Sequence, residues 1–387
     1  MSAATLGVLD LDRAATTPVH PDVLAAMLPY FSQRAGNPAS VHASGRLARR
    51  AVEDARERVA AAVDVRPRQV VFTSGATEAL HLAVRGYLAE RSPAHVVSCL
   101  SEHAAVREAL RACARRGAEV TWLRPDDRGC VSHEALLAAL QPDTLLVALM
   151  RVNNETGVRH DLAPLRAELH ARGVRVLVDA VQAFGYEAVD LPTLGADMLA
   201  LSSHKVEGPK GCGALVLAED VTIVPQQSGG GQERGLRGGT VDVPAVVGFG
   251  LAAERSAAWQ GRAECVGALR DRFEVALTGL ADVTVNAGGA PRGPKHSNLR
   301  FADVDGQTLL MNLDASGVLA SAGSACSAGS VEPSHVLTAM GLPSAEAASS
   351  VRFSLGDHLD EAAVDEAVRR VTLALRRSRG EAVGAEG

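Results

Sequence analysis

The 387-residue chain has few aromatic residues, no block of like charge and no long apolar run. Aromatic residues make up 3% of the sequence, which leaves little material for stacking nucleic-acid bases. The net charge is −6, which argues against nucleic acid or an anionic membrane surface as the main partner. No apolar run approaches the ~18 residues of a membrane-spanning helix, and no signal-like segment opens the chain. We therefore expect a cytoplasmic protein that contacts neither nucleic acid nor a membrane.

The cysteines are not arranged for disulfides or for a zinc site. Six of them are scattered along the chain, without a CxxC pair or zinc-finger spacing: Cys99, Cys113, Cys130, Cys212, Cys265 and Cys326. This pattern is typical of reduced thiols in the cytosol. The sequence therefore predicts neither a disulfide scaffold nor a bound metal.

Lysine is the scarcest basic residue. Of 39 basic residues only Lys205, Lys210 and Lys295 are lysines. An amine can condense with an aldehyde, whereas a guanidinium with a pKa above ~12 cannot. We expect Lys295, in a glycine- and proline-rich segment, to be incidental. For Lys205 and Lys210 the neighbouring residues decide.

Alternating apolar and helical segments predict an α/β fold. Buried strands are expected at 69–74, 95–100, 144–150, 175–180, 198–203 and 213–218, with helices at 46–63, 77–88, 105–116 and 163–172. Strands that are apolar throughout are typical of a mainly parallel sheet covered on both faces. After a long helix at 243–259, short strands at 282–286, 297–302 and 350–355 and a helix at 360–377 predict a second, α+β lobe.

Polar residues follow five of the predicted strands. They occupy positions 74–77, 102–103, 153–155, 179 with 182, and 202–205. Ligands of such sheets bind at the carboxyl ends of the strands. We therefore expect these residues to converge on one site.

Lys205 and Asp179 are the pair that a pyridoxal phosphate site requires. The lysine holds the coenzyme aldehyde, and the carboxylate keeps the pyridine nitrogen protonated. Gln182 could donate a hydrogen bond to the ring oxygen. Taken alone, Asp179 could be a helix N-cap and Lys205 a solvated lysine. Their occurrence at successive strand ends favours the cofactor site.

A phosphate could bind where Thr73-Ser74-Gly75-Ala76-Thr77-Glu78 turns into a helix, because a helix start offers backbone N–H donors. Ordinary helix capping is the alternative. Ser202 and His204 offer further donors. His103 could stack on the ring and move protons, although a lone histidine is more often structural.

Cys326 and Arg352 extend this set. Cys326 lies among ten small residues, so it is either a reactive thiol or an incidental cysteine in a turn. Arg352, within a strand-like run, either pairs with a buried acid or clamps a substrate carboxylate.

These motifs together resemble the cysteine desulfurases of the fold-type I pyridoxal phosphate enzymes, in the class V aminotransferase superfamily. The resemblance covers nearly the whole chain and rests on these motifs: Leu11-Asp12-Arg13-Ala14-Ala15-Thr16-Thr17-Pro18, Gly75-Ala76-Thr77-Glu78, Asn153-Asn154-Glu155-Thr156-Gly157, Asp179-Ala180-Val181-Gln182, His204-Lys205, Gly208-Pro209-Lys210-Gly211 and Gly323-Ser324-Ala325-Cys326. It implies a large cofactor domain (14–259) with a mainly parallel, seven-stranded-type sheet, and a small α+β domain (1–13 and 260–387) that carries Cys326.

The resemblance also implies roles for single residues. Lys205 would be the Schiff-base lysine, Asp179 the ring-nitrogen partner and His103 the stacking residue. Gln182 and Asn154 would contact the ring oxygen side, while Ala76, Thr77, Ser202 and His204 would surround the phosphate. Thr240 would reach the phosphate of a neighbouring subunit in a homodimer. Arg352 would bind the substrate carboxylate with Asn154, and Cys326 would take the sulfur as a persulfide.

The implied reaction converts L-cysteine to L-alanine and passes sulfur to an acceptor protein of unknown identity. Two alternatives stay open: another pyridoxal phosphate enzyme, such as a selenocysteine lyase, an epimerase or an aminotransferase, or a non-catalytic interaction protein of the same fold. The sequence departs from the family pattern at Val206-Glu207 and at Gly238. Glu207 places an acid near the predicted site.

Overall fold

The computed structural model describes residues 7–257, 263–323 and 333–381. Cys326 therefore lies outside the described residues. The described strands are β1 Leu9–Asp10, β2 Val70–Thr73, β3 His95–Cys99, β4 Glu119–Leu123, β5 Thr144–Ala148, β6 Arg175–Asp179, β7 Met198–Ser202, β8 Gly213–Leu217, β9 Val283–Val285, β10 His296–Phe301, β11 Val318–Leu319 and β12 Ser350–Ser354.

The described α-helices follow the strands in the alternation that the sequence predicts. They are α1 Pro21–Met27, α2 Ala43–Ala62, α3 Ala76–Leu88, α4 Ala104–Ala114, α5 His133–Ala138, α6 Arg166–Ala171, α7 Val243–Ala257, α8 Ala263–Thr278, α9 Gly306–Ala315, α10 His335–Ala339, α11 Ser344–Ala348 and α12 Glu361–Ser378. Among these helices, none combines the length and the apolar character needed to cross a bilayer.

The larger sheet has seven strands in the order β2-β8-β7-β6-β5-β3-β4. Neighbours from β7 to β4 run parallel, whereas β8 runs antiparallel to both β7 and β2. The predicted mainly parallel sheet is thereby confirmed. Because the parallel strands point the same way, the residues that follow β3, β5, β6 and β7 meet at one edge of the sheet.

Both faces of this sheet are covered, which explains the continuous apolar runs. In β7, Leu199 and Leu201 belong to one core cluster, and Met198 and Ala200 belong to another. Helices α2 and α7 contribute to the first cluster, and helices α3 and α4 contribute to the second. Each face therefore buries every second side chain of the strand.

One strand of the sheet was not predicted from the sequence. Strand β4 has the sequence EVTWL, which mixes polar and apolar residues, and its side chains are only partly buried. It lies at the edge of the sheet beside β3. The side chains of β4 keep contact with solvent, so this strand lacks the apolar run that marked the buried strands, including β2 at the opposite edge.

The C-terminal part of the chain forms smaller sheets. Strands β12, β10 and β9 pair antiparallel in that order, with Asn298 opposite Arg352. Helices α8, α9 and α12 share an apolar core with this sheet. Strand β1 pairs in parallel with β11, and Asp12 bridges to Ser354. The N-terminal segment thus packs against the C-terminal part, as the proposed division at residues 13 and 260 requires. That division stays a prediction.

Candidate active site

A cavity of about 440 Å³ opens at the carboxyl ends of the parallel strands. Its walls contain the residues that the sequence places after each strand. They are Ala14, Ala15, Thr16, Ser74, Gly75, Ala76, Thr77, Glu78, Leu80, His103, Met150, Val152, Asn154, Asp179, Val181, Gln182, Ser202, His204, Lys205, Lys210, Gly211 and Arg352. Ten of the twelve predicted site residues therefore lie around one space.

Lys205 is positioned by the end of β7. The chain leaves this strand through a short 3₁₀ turn over Ser203–Lys205. The Lys205 ammonium donates hydrogen bonds to the carbonyl oxygens of Ala14 at 2.6 Å and Ala15 at 2.7 Å. The N-terminal segment thus holds the amine inside the cavity, a contact that strand periodicity alone does not reveal.

Asp179 ends β6 on the same side of the sheet. Its side chain accepts a hydrogen bond from the backbone N–H of Val181 at 3.0 Å. Burial raises the pKa of the Asp179 carboxyl, while the positive charges of His103 and Lys205 and the Val181 N–H act in the opposite direction. A cation bound beside Asp179 would favour the carboxylate further.

Two amide side chains turn unpartnered oxygens toward this region. Gln182 donates from Nε2 to the Ala14 carbonyl at 3.0 Å, and its Oε1 is buried without a hydrogen-bond partner among the described residues. The Oδ1 of Asn154 is likewise buried and unpartnered within the described part of the chain. A buried polar atom without a partner costs free energy, so both oxygens favour a ligand that can donate to them.

The start of helix α3 forms one end of the cavity. Gly75, its N-cap, has φ of +150°, and a Cβ built on it would have no atom within 4 Å. Backbone N–H groups of the first turn therefore face open space beside Thr77. Ser202, at the end of β7, faces the same space. This is the geometry in which a helix start binds an anion.

His204 also borders the cavity, and its Nδ1 lies 3.1 Å from the hydroxyl of Thr16. Burial, with the charge of Lys205, lowers the pKa of His204 to about 4. The imidazole is therefore neutral near pH 7. It can donate one hydrogen bond to an anion but adds no positive charge.

Glu78, which borders the cavity at the start of α3, forms an ion pair with Arg237. Arg237 Nε lies 2.8 Å from Glu78 Oε1, and the Ser74 N–H donates to Glu78 at 2.6 Å. Although burial opposes it, these bonds lower the pKa of Glu78. Sequence analysis missed this pair, because residues 159 positions apart carry no local signal.

His103 is both a cavity wall and the N-cap of helix α4. Its Nδ1 accepts a hydrogen bond from the Ala105 N–H at 3.2 Å. The structural and the functional interpretations of this histidine therefore hold together: the capping bond fixes the ring while the ring borders the cavity.

Arg352 reaches the cavity from the smaller sheet. Its side chain is 2% exposed, and Nη1 donates to the Asn154 carbonyl at 2.9 Å. Nη2 lies 2.8 Å from a carboxylate oxygen of Asp12. Its Nε is buried without a partner among the described residues. The sequence allowed two interpretations of Arg352, an ion pair with an acid or binding of a substrate carboxylate, and both fit this geometry.

One described residue that was predicted for the site does not border the cavity. Thr240 is exposed and is not among the walls of this cavity in the single chain. The prediction for Cys326 falls outside the described residues. Lys210, by contrast, borders the cavity although the sequence assigned it no role.

Glu102 is another residue that sequence analysis left without a role. Its Oε1 accepts a hydrogen bond from the Met150 N–H at 2.6 Å, while its Oε2 is buried and unpartnered among the described residues. Burial, together with the nearby charge of Asp179, raises the pKa of Glu102 well above its ordinary value. Burial thus favours the protonated form of Glu102 close to Asp179. Its place directly after β3 was the only signal for it.

The residues around the cavity fit pyridoxal phosphate. A lysine amine, a buried carboxylate and a helix start occupy three sides of the space. No atom lies within 4 Å of the place that a Cβ on Gly75 would take, and the side-chain amides of Gln182 and Asn154 border the cavity with N–H groups that can donate to the ring oxygen. Lys205 would carry the aldehyde, Asp179 would lie at the ring nitrogen, and the α3 start would bind the phosphate.

The sequence profile of the Aminotransferase class-V family matches residues 10–366. The chain belongs to this family. The matched region spans both the large sheet and the smaller one that carries Arg352.

Several relatives align with this chain over most of its length. The protein named cysteine desulfurase IscS of Anaeromyxobacter sp. (strain Fw109-5) is 45% identical over 377 residues, covering 95% of this chain and 93% of the relative. A solved structure described as a NifS-like protein has 31% identity and a TM-score of 0.89, covering 96% of this chain and 100% of its own. A structure described as SspA in complex with cysteine has 34% identity and a TM-score of 0.81, covering 90% and 98%.

Proposed function

We propose that this chain is a pyridoxal-phosphate-dependent cysteine desulfurase. It converts L-cysteine to L-alanine and holds the sulfur as a persulfide on Cys326 for an acceptor protein. The observation that carries the proposal is that Lys205, Asp179 and Arg352 border one cavity. The desulfurase names of the relatives support the same reaction.

The coenzyme supplies an electron sink for the substrate carbon skeleton when it is bound. Lys205 moves the proton at the substrate Cα, because its amine lies inside the cavity between the ring-binding residues and the N-terminal carbonyls. Asp179 keeps the sink effective, since a carboxylate at the ring nitrogen stabilises the protonated ring.

Arg352 orients the substrate. A guanidinium with a buried, unpartnered Nε on the cavity wall is suited to the carboxylate of an amino acid. Asn154 borders the cavity beside it, and its side-chain amide can donate a hydrogen bond to the same carboxylate through Nδ2. These two residues fix the carboxylate, which holds the rest of the amino acid in the cavity that Lys205 also borders.

Cys326 takes the sulfur. Its thiolate attacks the substrate sulfur, an S–S bond forms, and the Cβ–S bond breaks with its electron pair left on the carbon skeleton. Protonation of that skeleton completes alanine. His103, on the wall of the cavity, can exchange the protons involved.

The first prediction concerns this thiol. In Cys326→Ala, the visible absorption of the bound coenzyme is retained, but mass spectrometry detects no persulfide and alanine release from cysteine is lost. Cys265→Ala is the matched control, because Cys265 is an exposed thiol elsewhere in the chain. Undiminished alanine release by Cys326→Ala would remove Cys326 from the mechanism.

The alternative of a selenocysteine lyase or an aminotransferase-like enzyme uses the same Lys205 and Asp179. It leaves Cys326 without a role, and relatives at 40–45% identity are named cysteine desulfurase. Selenocysteine turnover that survives Cys326→Ala, combined with loss of cysteine turnover, would favour the lyase.

The assembly that we propose is a cytoplasmic homodimer. Thr240 is exposed at the end of the segment that follows the Glu78–Arg237 pair. An exposed hydroxyl there is available to the phosphate corner of a second copy. L-Cysteine and an acceptor protein are then the partners, with no direct contact to nucleic acid or to a membrane.

A further inference from the structure

We propose that Glu155 is a positioning residue for sulfur transfer, which holds together the two ends of the segment carrying Cys326 beside the substrate-binding Arg352. The proposal rests on the proposed desulfurase function. It assigns to Glu155 a role that depends on Gly323 and Ser334, the residues on either side of that segment.

A tight turn fixes Glu155 itself. The side-chain oxygen of Asn153 accepts hydrogen bonds from the N–H groups of Glu155 and Thr156, both at 2.9 Å. Asn153 is anchored in turn by its Nδ2, which donates to the Ser101 carbonyl at 3.0 Å. The turn closes at Gly157, where φ is +77° and a Cβ would lie 2.7 Å from a side-chain atom of His296. Glu155 is fully buried, so its carboxylate has a defined place.

Both ends of the segment meet one oxygen of this carboxylate. The Ser334 hydroxyl donates to Glu155 Oε2 at 2.5 Å. Gly323 packs against the same atom, because a Cβ built on it would lie 3.1 Å from Oε2. That Cβ would also lie 3.4 Å from the Cβ of Ser334. Residues eleven positions apart in sequence are therefore neighbours at Glu155.

Gly323 is suited to this place by its backbone. Its φ of +57° lies in the left-handed region, where glycine has no steric penalty. Ser334 is fixed independently, since its hydroxyl also accepts the Leu337 N–H at 3.2 Å as the N-cap of helix α10. The carboxylate thus joins a turn to a helix start.

The same region holds the substrate clamp. Arg352 donates to the carbonyl of Asn154, the residue before Glu155. Ser321, two residues before Gly323, exchanges two backbone hydrogen bonds with Arg352, at 2.7 and 3.1 Å. The Ser321 hydroxyl also donates to Asp12, the carboxylate that pairs with Arg352. These hydrogen bonds fix the position of the segment ends relative to the Arg352 guanidinium.

Distance along the chain makes this placement consequential. Cys326 follows Gly323 by three residues, which span at most ~11 Å. The position of Gly323 therefore limits the region that the thiol can reach. Because reacting atoms must approach to about 3–3.5 Å, a misplacement near 1 Å costs up to ~100-fold in rate.

The test compares Ser334→Ala and Glu155→Gln with the holoenzyme. Ser334→Ala removes the donor and lowers the single-turnover rate of persulfide formation by about 10- to 100-fold. The absorption change on adding cysteine, and its concentration dependence, stay as in the parent, because Arg352 and Lys205 are untouched. Ser334→Thr keeps the hydroxyl and restores the rate. Glu155→Gln, which retains an acceptor oxygen without the charge, falls between them.

A second readout does not depend on the reaction. Subtilisin digestion, followed by mass spectrometry, measures cleavage between residues 323 and 334, and Ser334→Ala raises that rate severalfold over Ser334→Thr. A parent enzyme that forms no persulfide would refute the proposed function, while the digestion still decides the role of Glu155. Persulfide rates and digestion rates of Ser334→Ala within twofold of the parent would overturn the proposal. Equal losses in Ser334→Ala and Ser334→Thr would overturn it as well.

Discussion

Lys295 is buried, although the glycine and proline residues beside it in the sequence are typical of an exposed loop. It comes from a glycine- and proline-rich segment, yet its side chain is 1% exposed, at the start of β10. Its ammonium lies 4.6 Å from the centre of the Tyr186 ring and has no hydrogen-bond partner among the described residues. Burial, then the charges of Lys205 and Arg352, lower the pKa of Lys295 well below its ordinary value. The expectation that this lysine is incidental did not foresee its burial.

This burial makes stability depend on pH in a defined direction. Between the lowered pKa of Lys295 in the folded state and ~10.4 in the unfolded state, unfolding takes up a proton. Lys295 therefore weakens the folded state more as the pH falls through this window. In Lys295→Met, the free energy of unfolding at pH 7 rises by about 1–3 kcal/mol, because an unpartnered polar group leaves the core.

Urea unfolding at pH 7 and pH 10 measures this effect. The gain in Lys295→Met shrinks at pH 10, because pH 10 is close to the unfolded-state pKa of ~10.4 and proton uptake by the wild-type amine then favours unfolding much less. Lys210→Met is the control, because Lys210 is exposed and its replacement changes stability little. A destabilised Lys295→Met at both pH values would contradict the argument.

At the scale of elements, a buried ion pair links helix α2 to the segment around Glu233. Arg56 contacts both oxygens of Glu233 at 2.7 Å, and both side chains are 3% exposed. Glu233 also accepts the N–H of Phe72 in β2 at 2.8 Å. The segment after Glu233 carries Arg237 and Thr240. The ion pair between Arg56 and Glu233 therefore fixes the part of the chain whose Arg237 contacts Glu78 on the cavity wall.

Breaking this pair leaves the buried guanidinium paired with Glu53, a half-exposed carboxylate, in place of a buried one. Glu233→Gln is therefore expected to lower the free energy of unfolding by up to about 3–5 kcal/mol. The exposed pair between Arg272 and Asp365 is the matched control, and Asp365→Asn leaves the unfolding midpoint nearly unchanged. Guanidinium unfolding of both variants decides the matter, and similar midpoints for the two would show that burial does not matter here.

Elements were predictable where burial is two-sided. Six of the seven strands of the large sheet were predicted, because their side chains are buried on both faces, including those of the edge strand β2. Strand β4 was not predicted, since its side chains are only partly buried. The expected helix at 163–172 is a 3₁₀ turn at Ala163–Leu165 followed by α6.

At the scale of the whole molecule, the proposed homodimer shares its site between two chains. A cavity completed by a neighbour predicts sedimentation at twice the chain mass of 40.2 kDa. Thr240→Val keeps that mass but releases the coenzyme faster on dialysis, because one phosphate donor is lost. Thr284→Val, at an exposed position on β9, serves as control. A monomeric holoenzyme, or equal coenzyme retention in both variants, would exclude the shared site.

The residue types at the strand ends and the parallel sheet that brings them together could be predicted from sequence. Both predictions were possible because hydrophobic period and residue type are local properties of the chain. The folded chain alone shows which distant groups contact these residues: the Ala14 and Ala15 carbonyls at Lys205, Asp12 at Arg352, and Glu155 at the segment ends. Such contacts join residues far apart in sequence, and their partners are set by how the sheets pack.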